Sequence, residues 1–393
     1  MNPRPWWILP VIVFSQFAGT SLWFAGNAII MDLPPAWHID PREVGIITSA
    51  VQLGFIVGTF VFAVAALADR FSPRGIYFFC SIIGALTNLA VLFVVSDLHS
   101  LLVVRFLTGF FLAGIYPIGM KIAAGWYHEG LGKALGFLVG ALVVGTASPH
   151  LIRSFDIAAA WQFVVISTSS AAAIGGCCVA LLVPNGPHTT VGLKLNLRAL
   201  SMIFRVKEVR ASAFAYFGHM WEIYTLWAFA PFLLSTYSSM HSANHFNVSL
   251  WSFFTIAAGF IGCSVGGVLS QRIGSARVAF TQLGLSCVCC LLVPFCFSFS
   301  PPAFLAVMIF WGIVAAGDSP QFSAMTASYA PKELVGSALT ISNCIGFGIT
   351  IVSIQFITAL IGQIPPQYLS MPVAAGPALG LLFSPRLIHR AEQ

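Results

Sequence analysis

RFLTGFFLAGIYPIGMK, residues 105–121, has an echo 203 residues later in MIFWGIVAAGDSPQFSA, residues 308–324. Both stretches are almost wholly apolar, yet the first carries Arg105 and the second carries Asp318. Small residues, a proline and one isolated charge inside each hydrophobic segment indicate an internal repeat of helices that meet closely and bend. At this offset the small residues and prolines coincide: Gly109 with Gly312, Ala113 with Ala316, Gly114 with Gly317, and Pro117 with Pro320.

The composition around this repeat is that of an integral membrane protein. Of the 393 residues, 58% are hydrophobic and only 8% are charged, whereas about a quarter of a soluble domain is charged. Apolar runs of about 20 residues recur along the chain, the length that a helix needs to cross a bilayer. The sequence therefore predicts an all-α membrane fold with twelve spans, near 8–31, 43–67, 74–96, 99–122, 131–153, 157–183, 209–237, 248–270, 276–298, 302–326, 333–360 and 366–385.

The longest connection, 184–208, divides the chain into six spans and six. We therefore predict an N-terminal six-helix bundle at 1–183, a central cytoplasmic linker at 184–208 and a C-terminal six-helix bundle at 209–393. Most basic residues fall in the N-terminus and in alternate loops, which places both termini in the cytoplasm of a multi-pass protein of a bacterial inner membrane. This distribution also explains the net charge of +6 without nucleic acid. The nine cysteines all lie within predicted spans and are interpreted as small buried residues rather than a metal or disulfide framework.

The loop after the second span reads AALADRFSPR at 65–74, and the equivalent loop of the second half reads GVLSQRIGSAR at 267–277. These residues resemble the signature Gly-x-Leu-Ala-Asp-Arg-x-Gly-Arg-Arg of the major facilitator superfamily, and the resemblance extends over the whole chain. Ala65, Ser72, Pro73 and Gln271 depart from that signature. The resemblance implies a cytoplasmic gate, and topology alone is the other explanation for its charges: Asp69, Arg70, Arg74, Arg272 and Arg277.

The resemblance also implies two pseudo-symmetric bundles in which spans one, four, seven and ten line a substrate cavity. It assigns to this cavity the polar and aromatic residues of these and adjacent spans. They are Gln16, Trp23, Asn27, Gln52, Tyr116, Tyr216, Thr225, Trp227, Trp311, Gln321 and Asn343.

Two acids, Glu222 and Asp318, lie deep inside predicted spans, whereas the other ten lie in loops, in tails or at membrane edges. A charge at that depth costs at least about 2.5–3.5 kcal/mol, so each acid should face a wet cavity or a partner. Burial favours the neutral carboxyl, which makes Glu222 the first candidate for carrying a proton and Asp318 the second. His219 lies one turn from Glu222 on the same face and could share or tune that proton, with a purely structural role as the alternative.

Each of these residues also has a structural interpretation. Glu222 could join helices through hydrogen bonds, and Asp318 could bind the backbone that Pro320 leaves unpaired. Arg105 could extend to the outer surface. Arg105 and Gly109 also form an Arg-x-x-x-Gly pattern that resembles one in the fourth span of the superfamily, and the resemblance links that arginine to proton coupling.

Together these features predict a proton-coupled transporter of a small organic solute that works by alternating access, with no cofactor, no metal and the proton gradient as its energy source. The partners we expect are the solute and the lipid bilayer, with a monomeric chain and no nucleic acid. The charge of the solute and the direction of transport stay open. A facilitator or an exporter of amphipathic or cationic compounds or metal chelates is the alternative, followed by a membrane sensor that transports nothing. No nucleophile paired with a base is evident, so an enzyme is not expected.

Overall fold

The computed structural model describes residues 5–40, 43–127, 131–155, 160–187, 196, 198–241, 245–383 and 387–388, except the side chains of 68, 69, 131, 160 and 332. Helices account for nearly all of the regular structure in these residues. The chain separates into two compact units, Met1–Leu195 and Asn196–Gln393. The boundary between the units falls within the linker that the sequence predicts.

In its described residues, the N-terminal unit contains ten α-helical segments, with short 3₁₀ turns at Ile30–Asp32 and Pro35–Trp37. Short breaks subdivide its apolar spans; the one at residues 21–24 follows the first segment, and the one at 113–115 precedes a segment with a proline in its first turn. The segments are α1 Ile8–Thr20, α2 Ala25–Ile29, α3 Val44–Val64, α4 Leu67–Arg70, α5 Pro73–Leu89, α6 Val91–Val94, α7 Leu98–Leu112, α8 Tyr116–Trp126, α9 Leu131–Arg153 and α10 Ala160–Leu182.

The C-terminal unit contains nine α-helical segments, with short 3₁₀ turns at Lys332–Leu334 and Pro366–Ala374. Its first segment lies in the predicted linker and packs against the second and eighth segments of the same unit. The segments are α11 Arg198–Arg205, α12 Lys207–Met240, α13 Val248–Ala257, α14 Gly259–Ile273, α15 Ser275–Cys296, α16 Pro301–Gly317, α17 Ser319–Tyr329, α18 Val335–Leu360 and α19 Ala375–Leu381.

Nine helical stretches in the described residues are long and apolar enough to cross a membrane, and the bent pair α1 and α2 makes a tenth. The predicted seventh span, 209–237, lies inside the 34-residue helix α12, whose apolar sequence is interrupted by His219 and Glu222. The predicted twelfth span, 366–385, is a 3₁₀ stretch followed by α19. The twelve predicted segments are thus helical, but the last is less regular than its apolar sequence suggested.

The glycines that repeat between residues 105–121 and 308–324 allow a close helix crossing in both units. A Cβ on Gly109 of α7 would lie 2.0 Å from the Val51 carbonyl oxygen of α3, and one on Gly312 of α16 would lie 1.8 Å from the Thr255 carbonyl oxygen of α13. At these points the two backbones touch, and only glycine allows so close an approach. The sequence repeat therefore corresponds to a repeated helix crossing.

The repeated prolines both lie at the start of a new helical segment, so the helix is interrupted at Pro320 as it is at Pro117. Pro117 lies at the start of α8 and Pro320 at the start of α17. Proline has no N–H to donate, so the carbonyl four residues earlier loses its helical partner. In the C-terminal unit that carbonyl belongs to Ala316, and it accepts a hydrogen bond of 3.3 Å from the Cys263 thiol.

Helix α7 begins at a capping box formed by Asp97 and Ser100. The Asp97 carboxylate accepts a 2.8 Å hydrogen bond from the Ser100 backbone N–H, and the Ser100 hydroxyl lies 3.2 Å from the Asp97 backbone N–H. The bond from the Ser100 backbone, followed by that from its hydroxyl, holds the pKa of Asp97 below its usual range. This cap fixes where the span that carries Arg105 starts.

Candidate functional site

A cluster of buried acids lies inside the C-terminal unit. Glu222 of α12 is the acid that accepts the most hydrogen bonds from side chains. Its Oε1 accepts a 2.6 Å hydrogen bond from the Trp311 indole N–H of α16 and a 3.4 Å hydrogen bond from the Cys290 thiol of α15. Its Oε2 accepts a 2.8 Å hydrogen bond from the Ser286 hydroxyl, also of α15. The carboxylate is fully buried, so these donors replace the water that it lost.

Asp318, the second buried acid, lies at the break between α16 and α17. Its Oδ1 is 2.7 Å from Nδ1 of His219 on α12, and both side chains are buried. Among the described residues, neither carboxylate oxygen has a side-chain donor in well-directed hydrogen-bond geometry, so the contact with His219 is mainly electrostatic. Because Cys263 already binds the Ala316 carbonyl, the Asp318 carboxylate faces an imidazole rather than the backbone that Pro320 left unpaired.

Further polar pairs extend from this cluster along α12 to α18. The Tyr216 hydroxyl donates a 2.8 Å hydrogen bond to Oδ1 of Asn343, and its ring stacks on His219 with 5.9 Å between centroids. The hydroxyls of Thr225 and Ser353 are 2.7 Å apart. Three of the predicted cavity residues on α12 or α18, namely Tyr216, Thr225 and Asn343, therefore bridge these two helices.

Arg105 is the corresponding buried charge of the N-terminal unit, and it binds the break in the first span. Its Nη2 donates to the Leu22 carbonyl at 2.8 Å and to the Trp23 carbonyl at 2.6 Å, while its Nη1 donates to Oδ1 of Asn88 at 2.9 Å. Leu22 and Trp23 lie in the break between α1 and α2, which are bent by 50°. The side chain is fully buried, so it does not extend to the surface.

The same break positions the predicted cavity residues of the first and second spans. The Trp23 indole N–H donates a 3.1 Å hydrogen bond to Oε1 of Gln52. Nδ2 of Asn27 donates a 2.6 Å hydrogen bond to the Thr48 hydroxyl, one turn before Gln52 on α3. The structure thus brings Trp23, Asn27 and Gln52 together, whereas the sequence could only assign them to one cavity by resemblance.

Gln16 of α1 is buried without an evident bonding partner. Neither its amide oxygen nor its amide nitrogen has a hydrogen bond to another described residue, and its side chain is fully buried. A Cβ on Gly119 of α8 would lie 2.1 Å from Oε1 of Gln16 and 3.4 Å from the Tyr77 ring. A buried amide in this condition is a candidate for binding water or solute in another conformation.

The remaining predicted residues lie apart from these clusters. Tyr116 is half-buried with its ring 6.5 Å from that of Phe55, and Trp227 is buried with its ring 4.9 Å from that of Tyr224. Gln321 is buried one turn after Asp318. Of the predicted gate, Arg70, Arg272 and Arg277 are exposed and Arg74 is half-buried, whereas the Asp69 side chain lies outside the described residues.

Sequence reasoning missed four groups that complete these clusters. Asn88, Ser286, Cys290 and Ser353 are small polar residues within apolar spans, and all four are fully buried and hydrogen-bonded to the residues above. Ser286 and Cys290 are four residues apart and therefore share one face of α15. This spacing was the feature of the sequence that could have identified them as a pair of donors. Cys290 belongs to a cluster of cysteines that has no acid nearby in the sequence, yet its thiol contacts Glu222 in the structure. Among the described residues, no group of three or more His, Cys, Asp and Glu side chains is arranged to bind a metal ion.

Comparison with known proteins agrees with this architecture. The family model described as the Major Facilitator Superfamily matches residues 8–354. A curated relative, the probable sulfoacetate transporter SauU of Cupriavidus necator, is 24% identical over 272 residues. That match covers 61% of this chain and 61% of the relative, which is less than two thirds of its length.

Proposed function

Because this chain belongs to the major facilitator superfamily, we propose that it is a proton-coupled secondary transporter of a small organic solute. It is a multi-pass membrane protein, and the family match points to transport rather than to catalysis. We place it in a bacterial inner membrane with both termini in the cytoplasm, following the distribution of its basic residues. Transport would proceed by alternating access, the mechanism of two-halved transporters.

One observation supports proton coupling above the others: two fully buried carboxylates and a buried imidazole lie within one helical unit. In the described residues of that unit, neither Glu222 nor Asp318 has a lysine or arginine within ion-pair distance. Acids in this setting are costly to keep charged, and a proton is the smallest ion that can neutralise one. Hydrogen bonds from three side chains explain how a buried Glu222 is stabilised. Among the described residues, the Asp318 oxygens have no comparable set of side-chain donors.

A small organic anion is the first substrate class to test, since the curated relative is named for sulfoacetate. The charge of the solute does not follow from the buried residues. Both terminal nitrogens of Arg105 bind acceptors of their own unit in this conformation. Short sulfonates and carboxylates, sugar acids, amino acids and organic cations therefore belong in one screen.

The proposed function is tested by flux in liposomes that contain the purified protein and a trapped pH indicator. An imposed pH gradient should drive accumulation of at least one solute in this screen, and a protonophore should abolish it. Addition of that solute without a gradient should move protons in the same direction as the solute. A protein that binds solutes but shows no flux for any of them would overturn the transporter proposal, and flux without proton movement would overturn the coupling.

The double variant Glu222→Gln/Asp318→Asn should lose gradient-driven accumulation by at least about tenfold, because neither acid can then bind a proton. The matched control is Glu333→Gln, which neutralises an exposed acid of the same unit and should accumulate solute like the wild type. Accumulation is measured as the ratio of internal to external labelled solute. A double variant that still concentrates solute would show that the buried acids do not couple transport to protons.

A further inference from the structure

The two buried acids of the C-terminal unit differ sharply in how well their charges are stabilised. Glu222 accepts hydrogen bonds from Trp311, Ser286 and Cys290, which belong to two neighbouring helices. An indole N–H only donates, so the 2.6 Å contact with Trp311 requires an acceptor and is strongest for an ionised oxygen. Charge-assisted bonds of this kind are stronger than bonds between neutral groups, which favours the carboxylate.

Only Oε2 of Glu222 could accept a proton without facing two donors, and protonation there would weaken the hydrogen bonds around the carboxyl group. A proton on Oε2 would have to be donated to Ser286, whose hydroxyl would then turn to the Leu283 carbonyl 3.1 Å away. A proton on Oε1 would face the indole N–H and the Cys290 thiol, both of which already donate to that oxygen. The network therefore holds Glu222 as an anion more firmly than it holds it as an acid.

Asp318 has no such set of side-chain donors; besides His219, the backbone N–H groups of Asp318 and Ser319 act on its carboxylate. Its Oδ1 lies 2.7 Å from Nδ1 of His219, and its Oδ2 has no side-chain donor among the described residues. The pair accommodates one proton or two. With one, the proton lies on Nδ1 of a neutral His219, the ring nitrogen nearest the carboxylate, and the pair carries one negative charge. With two, Nε2 is also protonated and the pair is neutral.

The groups around the pair make it the favourable place for that second proton. Glu222 lies one turn from His219 on α12, and its charge interacts with both His219 and Asp318. Among the described residues, the other titratable groups beside the cluster are Tyr216, whose ring stacks on His219, and four thiols: Cys263 on α14, and Cys287, Cys289 and Cys290 on α15. In the described part of this unit, a protonated His219 is therefore the one cation beside two carboxylates.

We infer that the exchanged proton binds to and leaves the His219–Asp318 pair, while Glu222 stays ionised and attracts that proton without carrying it. This inference rests on the proposed proton coupling and reverses the order in which the sequence ranked the two acids. One proton from water adds to Nε2 of His219 in one conformation and returns to water from the same atom in the other. The buried charge of the cluster alternates between two negative charges and one.

Two flux measurements on single variants test the assignment. Gradient-driven accumulation needs proton exchange, whereas exchange of labelled for unlabelled solute across the membrane needs only the conformational change. His219→Asn and Asp318→Asn should lose accumulation by at least about tenfold and retain solute exchange within about threefold of the wild type. Glu333→Gln serves as the control for both measurements.

Glu222→Gln should behave differently, because it removes an attracting charge rather than the proton site. Coupling should persist, but its pH profile should move to lower pH, since removal of the Glu222 charge takes away an anion that attracts the exchanged proton. A Glu222→Gln protein that loses coupling, beside an Asp318→Asn protein that keeps it, would overturn the assignment. A wild-type protein that never moves protons would instead refute the proposed function.

A spectroscopic readout on the wild type needs no variant to fold. In nanodiscs with ¹⁵N-labelled histidine, one imidazole should gain a proton at Nε2 while Nδ1 stays protonated throughout, over the pH range in which coupling changes. Absence of any such imidazole among the nine histidines would overturn the assignment.

Discussion

Gly312→Ala should destabilise the protein by at least about 3 kcal/mol, at or beyond the upper end of typical overpacking costs. The added Cβ would lie 1.8 Å from the Thr255 carbonyl oxygen, which belongs to the backbone of a facing helix and cannot rotate away. Relief requires α13 and α16 to separate, and this loses contacts along the whole crossing. Thermal unfolding of detergent-purified protein, followed by tryptophan fluorescence, measures the effect together with the folded yield.

Two comparisons make this result specific. Gly109→Ala should act similarly in the N-terminal unit, because its Cβ would lie 2.0 Å from the Val51 carbonyl oxygen. Gly348→Ala is the matched control within α18, where an added Cβ meets no other atom within 4 Å, and it should leave stability unchanged or raise it by up to about 1 kcal/mol. Equal unfolding temperatures for Gly312→Ala and Gly348→Ala would show that the helices do not approach this closely.

Arg105→Met should also destabilise the protein by several kcal/mol. The substitution keeps an unbranched side chain but leaves three acceptors without their donor, namely the Leu22 and Trp23 carbonyls and Oδ1 of Asn88. A buried acceptor that loses its partner costs about 1–3 kcal/mol. Thermal unfolding and proteolysis of the first span both report the loss.

The control for Arg105→Met is Arg153→Gln, which removes a partly exposed ion pair with Asp32 in the same unit. The pair is bidentate, through Nε and Nη2, but both side chains are partly exposed, so its loss should cost less than that of the three fully buried contacts of Arg105. If Arg105→Met unfolds at the same temperature as Arg153→Gln, the guanidinium does not stabilise the broken span. Arg105→Lys, assayed for solute flux, separates this structural role from the predicted role of Arg105 in proton coupling.

The location of the break explains why one arginine can have so large an effect. In a membrane interior, every backbone carbonyl needs an internal partner because no water is present. The turn at residues 21–24 interrupts the first span, and Arg105 supplies two donors at that point from α7. The same turn presents Trp23 to Gln52, so stability and the shape of the predicted cavity wall depend on one contact.

Much of the fold was predictable from hydropathy and from the repeat. Apolar runs of span length can satisfy their backbone only as helices, so the all-α membrane class follows from composition and is confirmed by the helices and the family model. Pro320 interrupts its helix as expected. The 3₁₀ stretch Pro366–Ala374 was not predictable, because its residues are as apolar as those of a regular helix.

The site was predictable only in part. The depth of Glu222 and Asp318 in apolar segments identified them as unusual, and helical spacing placed His219 on the face of Glu222. Spacing along one helix could not show that His219 contacts Asp318, which lies 99 residues later at the break between α16 and α17. In the structure, Nδ1 of His219 is 2.7 Å from Oδ1 of Asp318. Nor could it find Ser286, Cys290 or Trp311 as donors to Glu222, since ordinary polar residues within spans carry no mark of their partner.

By itself, the sequence determined that this chain crosses a membrane as helices, that its halves repeat, and that a few charges are buried at depth. These properties follow from transfer of side chains and backbone out of water, which depends on local composition and spacing. The tertiary structure alone decided which partner stabilises each charge: Arg105 binds a broken helix, Glu222 binds three donors, and Asp318 binds an imidazole. Those pairings depend on which helices cross, and the crossings at Gly109 and Gly312 are so close that an added Cβ would overlap the facing backbone.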